Sequence, residues 1–349
     1  MSRAIALLKF VVLFLPLSFN RKKEIPMKTT IYAQLILTIL FLLNTSLVAQ
    51  SEWKNVSQTQ FSNDLNAVYF ADAKRGWIGG DAGFLATTID GGNSWIKLPL
   101  NTKNSISDIY FRNAEKGYLL AGGNVFFSAD AGQSWREENI LQTDLSSASQ
   151  PELYSIRFSN KKNGWIVGSL NEGDKVVNSL VLHSEEEGAP WRRVRLETKN
   201  ELIHLDFVNQ KRGWIVGSNG TIFSTNDGGA SWQKQNSNTV ATLYHVDFKN
   251  ENLGWVVGEK GLILRTEDGG ANWQKVNSNV SKTLLTVEFT NEKSGWIAGR
   301  GGVILHSEDG GRTWTAEDAK TTSNIFAIFA QKKQLWAVGG RGTILRFER

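Results

Sequence analysis

Three acids recur at one place in a repeated segment, Asp206, Asp247 and Glu288, each 41 residues after the last. Two carboxylates held roughly 5–10 Å apart around one bond are what a glycosidase uses, so this spacing raises glycan hydrolysis as one chemistry to test. The same slot holds Tyr69, Tyr110, Arg157 and Phe329 in other copies. An acid there is also explained as the end of a strand. A sialidase-like centre would further need three arginines around a Tyr–Glu pair, and no such group can be assembled from the sequence. A second set, Asp90, Asp130, Asp227, Asp268 and Asp309, sits inside the motif (Ser/Thr)-x-Asp-x-Gly-x-x-Trp. A structural device is copied in every repeat and an active site is not, so these five read as turn staples. The carboxylate accepts backbone N–H groups and the Gly supplies a left-handed turn residue. His204 with His245, and His183 with His306, fall at equivalent positions of the repeat, but neither pair has the third ligand and outer shell that a metal centre needs. No metal, cofactor or catalytic set is expected.

The elements that position these residues follow from the repeat. A Gly-aromatic pair at Gly76-Trp77, Gly117-Tyr118, Gly164-Trp165, Gly213-Trp214, Gly254-Trp255 and Gly295-Trp296, with Leu335-Trp336 as the seventh, recurs at steps of 40 to 49 residues. Each unit reads as four short strands: an apolar first strand such as 243–248 or 284–289, a Gly-Trp second strand, a third such as 261–264 or 342–345, and a fourth starting at a Trp such as Trp232, Trp273 or Trp314. A degenerate Asp-box copy, Ser184 to Trp191, occupies the third unit. Seven four-stranded antiparallel units predict an all-β, seven-bladed β-propeller. The seventh unit stops after its third strand, while Glu52-Trp53-Lys54 matches fourth-strand text, so the N-terminal strand is expected to close the last blade.

The ends and the charge bound the function. Residues 1–49 read as a leader, with Met27 as the expected true start, an apolar run from Ile31 to Leu43 and a small residue, Ala49, before Gln50. Residues 51–349 form the single propeller, exported to a periplasmic or secreted location. Of 39 basic and 34 acidic residues, six and one lie in the leader, leaving 33 of each and a net charge near zero. No basic domain remains for nucleic acid. Absence of cysteine excludes disulfides, thiolate metal sites and lipid attachment to a thiol.

The text of units four to six, GW-x-x-G … G-x-I-L-x-(T/S)-x-DGG-x-x-W, resembles the photosystem II stability/assembly factor family of Asp-box propellers, and the likeness covers essentially all of 51–349. It implies a lumenal or periplasmic propeller that binds a membrane-protein assembly intermediate without enzymatic activity. The residues themselves place a partner-binding rim on the turns between second and third strands, at Asp81, Asn219, Glu259, Lys260, Arg300 and Arg341, which vary while the framework repeats. Arg300 and Arg341, on adjacent blades, could pair with a carboxylate or chain terminus. The Gly-Arg text around them lacks the helix a phosphate loop requires. In unit three the same turn expands to Ser169–Ser179, and the segment 139–152 leading into the unit is long, a feature of functional loops. A monomer holding a protein partner is the expectation. The alternative is a carbohydrate-binding or glycan-hydrolysing propeller, with Tyr69, Tyr110, Tyr154 and Tyr244 as a sugar platform.

Overall fold

The computed structural model describes residues 52–57, 61–138, 140, 149–188, 190–196, 198–331 and 334–348; the leader read from the sequence lies outside them. They form seven four-stranded antiparallel sheets, six with consecutive strand order. The seventh orders Glu52–Asn55, Thr343–Glu348, Gln334–Gly339 and Ile325–Gln331, so the two ends of the chain share a blade. Trp53 stands opposite Phe347 and Asn55 opposite Leu345 in that junction. Successive innermost strands pack all the way round, the first against the seventh included, which closes the propeller. Among the described residues the only helical turns are single 3₁₀ turns between second and third strands.

The blades are glued by a repeated aromatic sandwich. Trp255 lies flat on Phe289 of the next blade, centroids 3.5 Å apart, and Trp314 meets that Phe edge-on at 5.7 Å. Trp214, Phe248 and Trp273 repeat the arrangement one blade earlier. These rings are buried together with aliphatic neighbours, so each cluster joins two blades. The Gly of the Gly-Trp pair follows from this packing: a Cβ at Gly295 would stand 2.5 Å from the Phe289 ring.

Each clean Asp box is a hydrogen-bonded knot. In the first, Asp90 Oδ1 accepts from Ser94 N at 2.9 Å and from the Thr88 hydroxyl at 2.8 Å, while Gly92 N donates to Thr88 Oγ1 at 2.9 Å. Gly92 adopts φ 83° with Trp336 packed where a Cβ would go. The same bonds recur at Asp130, Asp227, Asp268 and Asp309. In the degenerate third copy the Ser184 hydroxyl still accepts from Gly188 N, and Glu187 turns to ion-pair Lys116 at 2.8 Å and Arg112 at 3.1 Å.

Two boundaries differ from the sequence reading. In blades one to six the fourth strands begin one residue after the Trp, as in Gln233–Gln235, because the ring is still turned into the blade interface. Blade three's expansion is not a loose loop. Its strands Gly164–Glu172 and Lys175–Ser184 extend the ladder to a tight turn at Gly173 and Asp174, with Gln150–Phe158 lengthened beside them. Of the segment 139–152, residues 139 and 141–148 lie outside the described residues.

Candidate functional site

The innermost strands, such as Leu202–Phe207, Leu243–Phe248 and Leu284–Phe289, pair on one side only. Their other edge faces the central channel, where backbone groups have no ladder partner and must find one elsewhere. Side chains of the preceding blade supply it. Phe248 N donates to Asp206 Oδ2 at 2.8 Å and Phe289 N to Asp247 Oδ2 at 2.7 Å. Ile156 N donates to Asp108 Oδ2 at 2.9 Å, and the Tyr69 hydroxyl donates to the Phe111 carbonyl at 2.9 Å. Two of the three acids that suggested hydrolysis are therefore staples between blades. The Tyr69 hydroxyl is spent in the same way.

The channel at this depth is a charged ring. Arg157 Nη1 lies 2.7 Å from Asp108 Oδ2, and its Nη2 lies 3.0 Å from His204 Nε2. Lys249 Nζ lies 2.7 Å from Asp247 Oδ1. Burial works against both cations, but the carboxylate of Asp108 above all raises the pKa of Arg157, and that of Asp247 raises the pKa of Lys249. His204 and His245 stack with centroids 3.6 Å apart, and burial drives both well below the ordinary imidazole value, so the rings are neutral. Burial, then the charge of Asp247, pushes Asp206 up to about 6 and Glu288 up to about 8. Among the described residues no group of three or more His, Asp or Glu is arranged to hold a metal ion. Of this ring the sequence singled out Asp206, Asp247, Glu288 and the histidines. It missed Asp108 and Lys249 as partners, although Asp108 stands at the repeat position of His204 and His245.

These shifts set a pH dependence of stability. Glu288 is protonated in the folded protein below about 8 but in an unfolded chain only near the ordinary glutamate value of 4.5, so the folded state binds the extra proton and gains stability as pH falls from 9 to 6.5. Below 6.5 the gain from Asp206 is opposed by His204 and His245, which the unfolded chain protonates first. The melting temperature should therefore rise from pH 9 to 6.5 and then level off. Glu288→Gln should flatten the rising limb; a limb of unchanged slope would show that another group carries it.

The six rim residues all lie on turns between second and third strands, and none of them lines the central cavity. Arg300, Lys260, Asn219 and Arg341 are exposed, the last three in left-handed backbone. Arg300 occupies the first residue of its turn, Arg341 the second. Asp81 and Glu259 are half-buried and hold their own turns: Asp81 Oδ1 accepts from Asn66 Nδ2 at 2.9 Å and Glu259 Oε2 from Thr242 N at 3.1 Å.

A closed ring of seven blades, five of them with a clean Asp box and one with a degenerate copy, a stapled channel and a variable charged rim define the class: a seven-bladed Asp-box β-propeller. The sequence profile of the family described as Photosynthesis system II assembly factor YCF48 matches residues 94–200, 183–281 and 277–348, and the chain belongs to that family. A "Photosystem II assembly lipoprotein Ycf48" from Synechococcus sp. (strain CC9902) is 29% identical over 154 residues, 43% of this chain and 43% of that relative, so the match spans less than half the relative's length. A solved structure of YCF48 bound to D1 peptide superposes with a TM-score of 0.69 at 21% identity, covering 85% of this chain and 97% of that one. YCF48 from Cyanidioschyzon merolae gives 0.68 at 19%, over 85% and 98%. A virginiamycin B lyase from Staphylococcus aureus gives 0.71 at 11%, over 86% and 100%, a likeness of fold alone.

Proposed function

We propose that this protein is an exported, non-catalytic propeller that holds a segment of a protein partner on its rim face, in an assembly or scaffold role. Membership of a family described by photosystem II assembly is the observation that carries this reading. A structural neighbour solved with a D1 peptide supports a peptide segment of a membrane protein, a photosystem subunit or its counterpart, as the kind of partner. The channel supports the absence of catalysis: Asp206 and Asp247 are committed to backbone donors of the next blade, leaving Glu288 without a second free carboxylate of the same ring for glycan hydrolysis. The Synechococcus relative is named a lipoprotein, which fits export, but these 349 residues contain no cysteine for thiol lipidation.

Capture from membrane extracts of the source cells tests the reading, with the full chain as bait beside an Arg300→Glu/Arg341→Glu variant. A membrane-protein subunit should be retained by the parent and reduced at least tenfold on the variant, the effect of replacing two charge-assisted contacts by repulsion. Equal retention would move the partner off this face, and glycan retention with hydrolysis lost in Glu288→Gln would replace the proposal.

A further inference from the structure

Every innermost strand carries a one-residue bulge at the same place. The pairing skips from Leu65 to Ala67, from Leu153 to Ser155, from Leu202 to His204 and from Leu243 to His245, and likewise in the other three blades. A bulge re-aims one side chain out of the regular alternation. Here all seven skipped residues line the central cavity, about 510 Å³ in volume, at its rim end. Blades one and two contribute the polar Asn66 and Ser107. Blades three to seven contribute an arc of Tyr154, Ile203, Tyr244, Leu285 and Phe326, all half-buried. The residue before each bulge is Leu or Ile in all seven blades, whereas the bulge residue changes almost every time.

Charge around this arc is one-sided. Glu152 lines the cavity two residues before Tyr154. Glu201 holds the same repeat position on the next blade, two residues before Ile203, and the innermost strands of these two blades pack together; burial, then the charge of Glu201, raises the Glu152 carboxyl. Neither Glu152 nor Glu201 has an ion-pair partner among the described residues. The acids deeper in the channel differ, since Arg157 and Lys249 answer them. Arg300 and Arg341 stand on the turns of blades six and seven, so the mouth is acidic over blades three and four and basic over six and seven.

We propose that the mouth is a socket for a lysine or arginine side chain presented by an extended segment of the protein partner. Its apolar stem lies against Ile203 and the faces of Tyr154 and Tyr244, and its cation sits between Glu152 and Glu201. An aliphatic stem with a charged tip matches an arc of apolar residues bordered by carboxylates. Tyrosine faces attract the cation, and its arrival relieves the repulsion between two unanswered acids. The polarity of the rim gives the segment a direction, its basic residue over blades three and four and an acidic group or C-terminus toward Arg300. The socket rests on the reading that the partner docks on the rim face.

The test uses the full chain and fluorescein-labelled, acetylated and amidated pentapeptides of four glycines around a central lysine, arginine, norleucine or glutamate, read by fluorescence polarisation. Lysine and arginine peptides should bind at least tenfold more tightly than norleucine and glutamate peptides. Glu152→Gln/Glu201→Gln should erase that preference without lowering the melting temperature, since it removes a like-charge pair. Equal binding of lysine and norleucine, or a preference that survives the double variant, overturns the socket. So does displacement by n-butylammonium as effective as by unlabelled lysine peptide, because a free amine would then suffice. Membrane-subunit capture that survives Glu152→Gln/Glu201→Gln while peptide preference is absent retires the socket and leaves the docking reading standing. A working socket with no protein captured does the reverse.

Discussion

Trp53→Ala should destabilise the propeller by about 3–5 kcal/mol, the cost of truncating a large buried ring. Trp53 is 1% exposed and meets Trp296 edge-on at 5.5 Å and Phe347 at 5.4 Å. Its indole N–H has no hydrogen-bond partner among the described residues, so the loss is one of apolar packing alone. The position matters beyond its area. Glu52–Asn55 is the strand that completes the blade made from both chain ends, and it covers the outer edge of Thr343–Glu348. Removing residues 52–57 should therefore do more than lower stability: an uncovered strand edge pairs with another copy, so dimers or aggregates should appear on size exclusion. Denaturant unfolding reads the point variant. A loss below about 1 kcal/mol would mean the ring is held shut by the innermost strands without the closing strand.

How much of this was legible in the sequence depends on what a residue's neighbours are. Blade number, strand order and closure were readable because the Gly-Trp pair and the Asp box are local devices: Gly295 is fixed by Phe289 only six residues earlier, and Asp90 by Ser94 four residues later. Asp206 was visible as a repeated acid, yet its partner is a backbone N–H 42 residues on, across a blade boundary that spacing alone does not show. Arg157 illustrates the same limit. It was one of four non-acidic occupants of the slot, and only the closed ring reveals that it faces Asp108 from one blade and His204 from another. The bulges were hidden for a different reason. Leu243-Tyr244-His245 reads as ordinary strand text, and the skip in register appears only once the partner strand is in place. The varied rim positions were found by contrast with the copied framework, but a half-buried acid such as Glu259 varies for the sake of its own turn as readily as for a partner.

Arg157→Leu should cost about 3 kcal/mol, the lower end for removing one partner of a buried ion pair, since both Arg157 and Asp108 keep some contact with the channel. The substitution fills much of the volume but leaves Asp108 with the Ile156 N–H alone and His204 without its guanidinium contact. It also strips from the ring a cation that holds down the carboxyls of Asp206 and Glu288. Both groups already sit above their ordinary values, so without Arg157 they should rise further and take up protons at higher pH. The sign follows from that uptake: the variant's folded state binds more protons than the parent's near neutrality, and its stability deficit must shrink on acidification. Unfolding of parent and variant at pH 8 and pH 5.5 separates this from simple packing loss, which would be equal at the two values. Asp108→Leu added to Arg157→Leu should recover part of the deficit at pH 8 by removing the carboxylate left behind. A deficit independent of pH and unrelieved by the second substitution would show that Arg157 fills space in the channel and leaves its charge balance to Lys249.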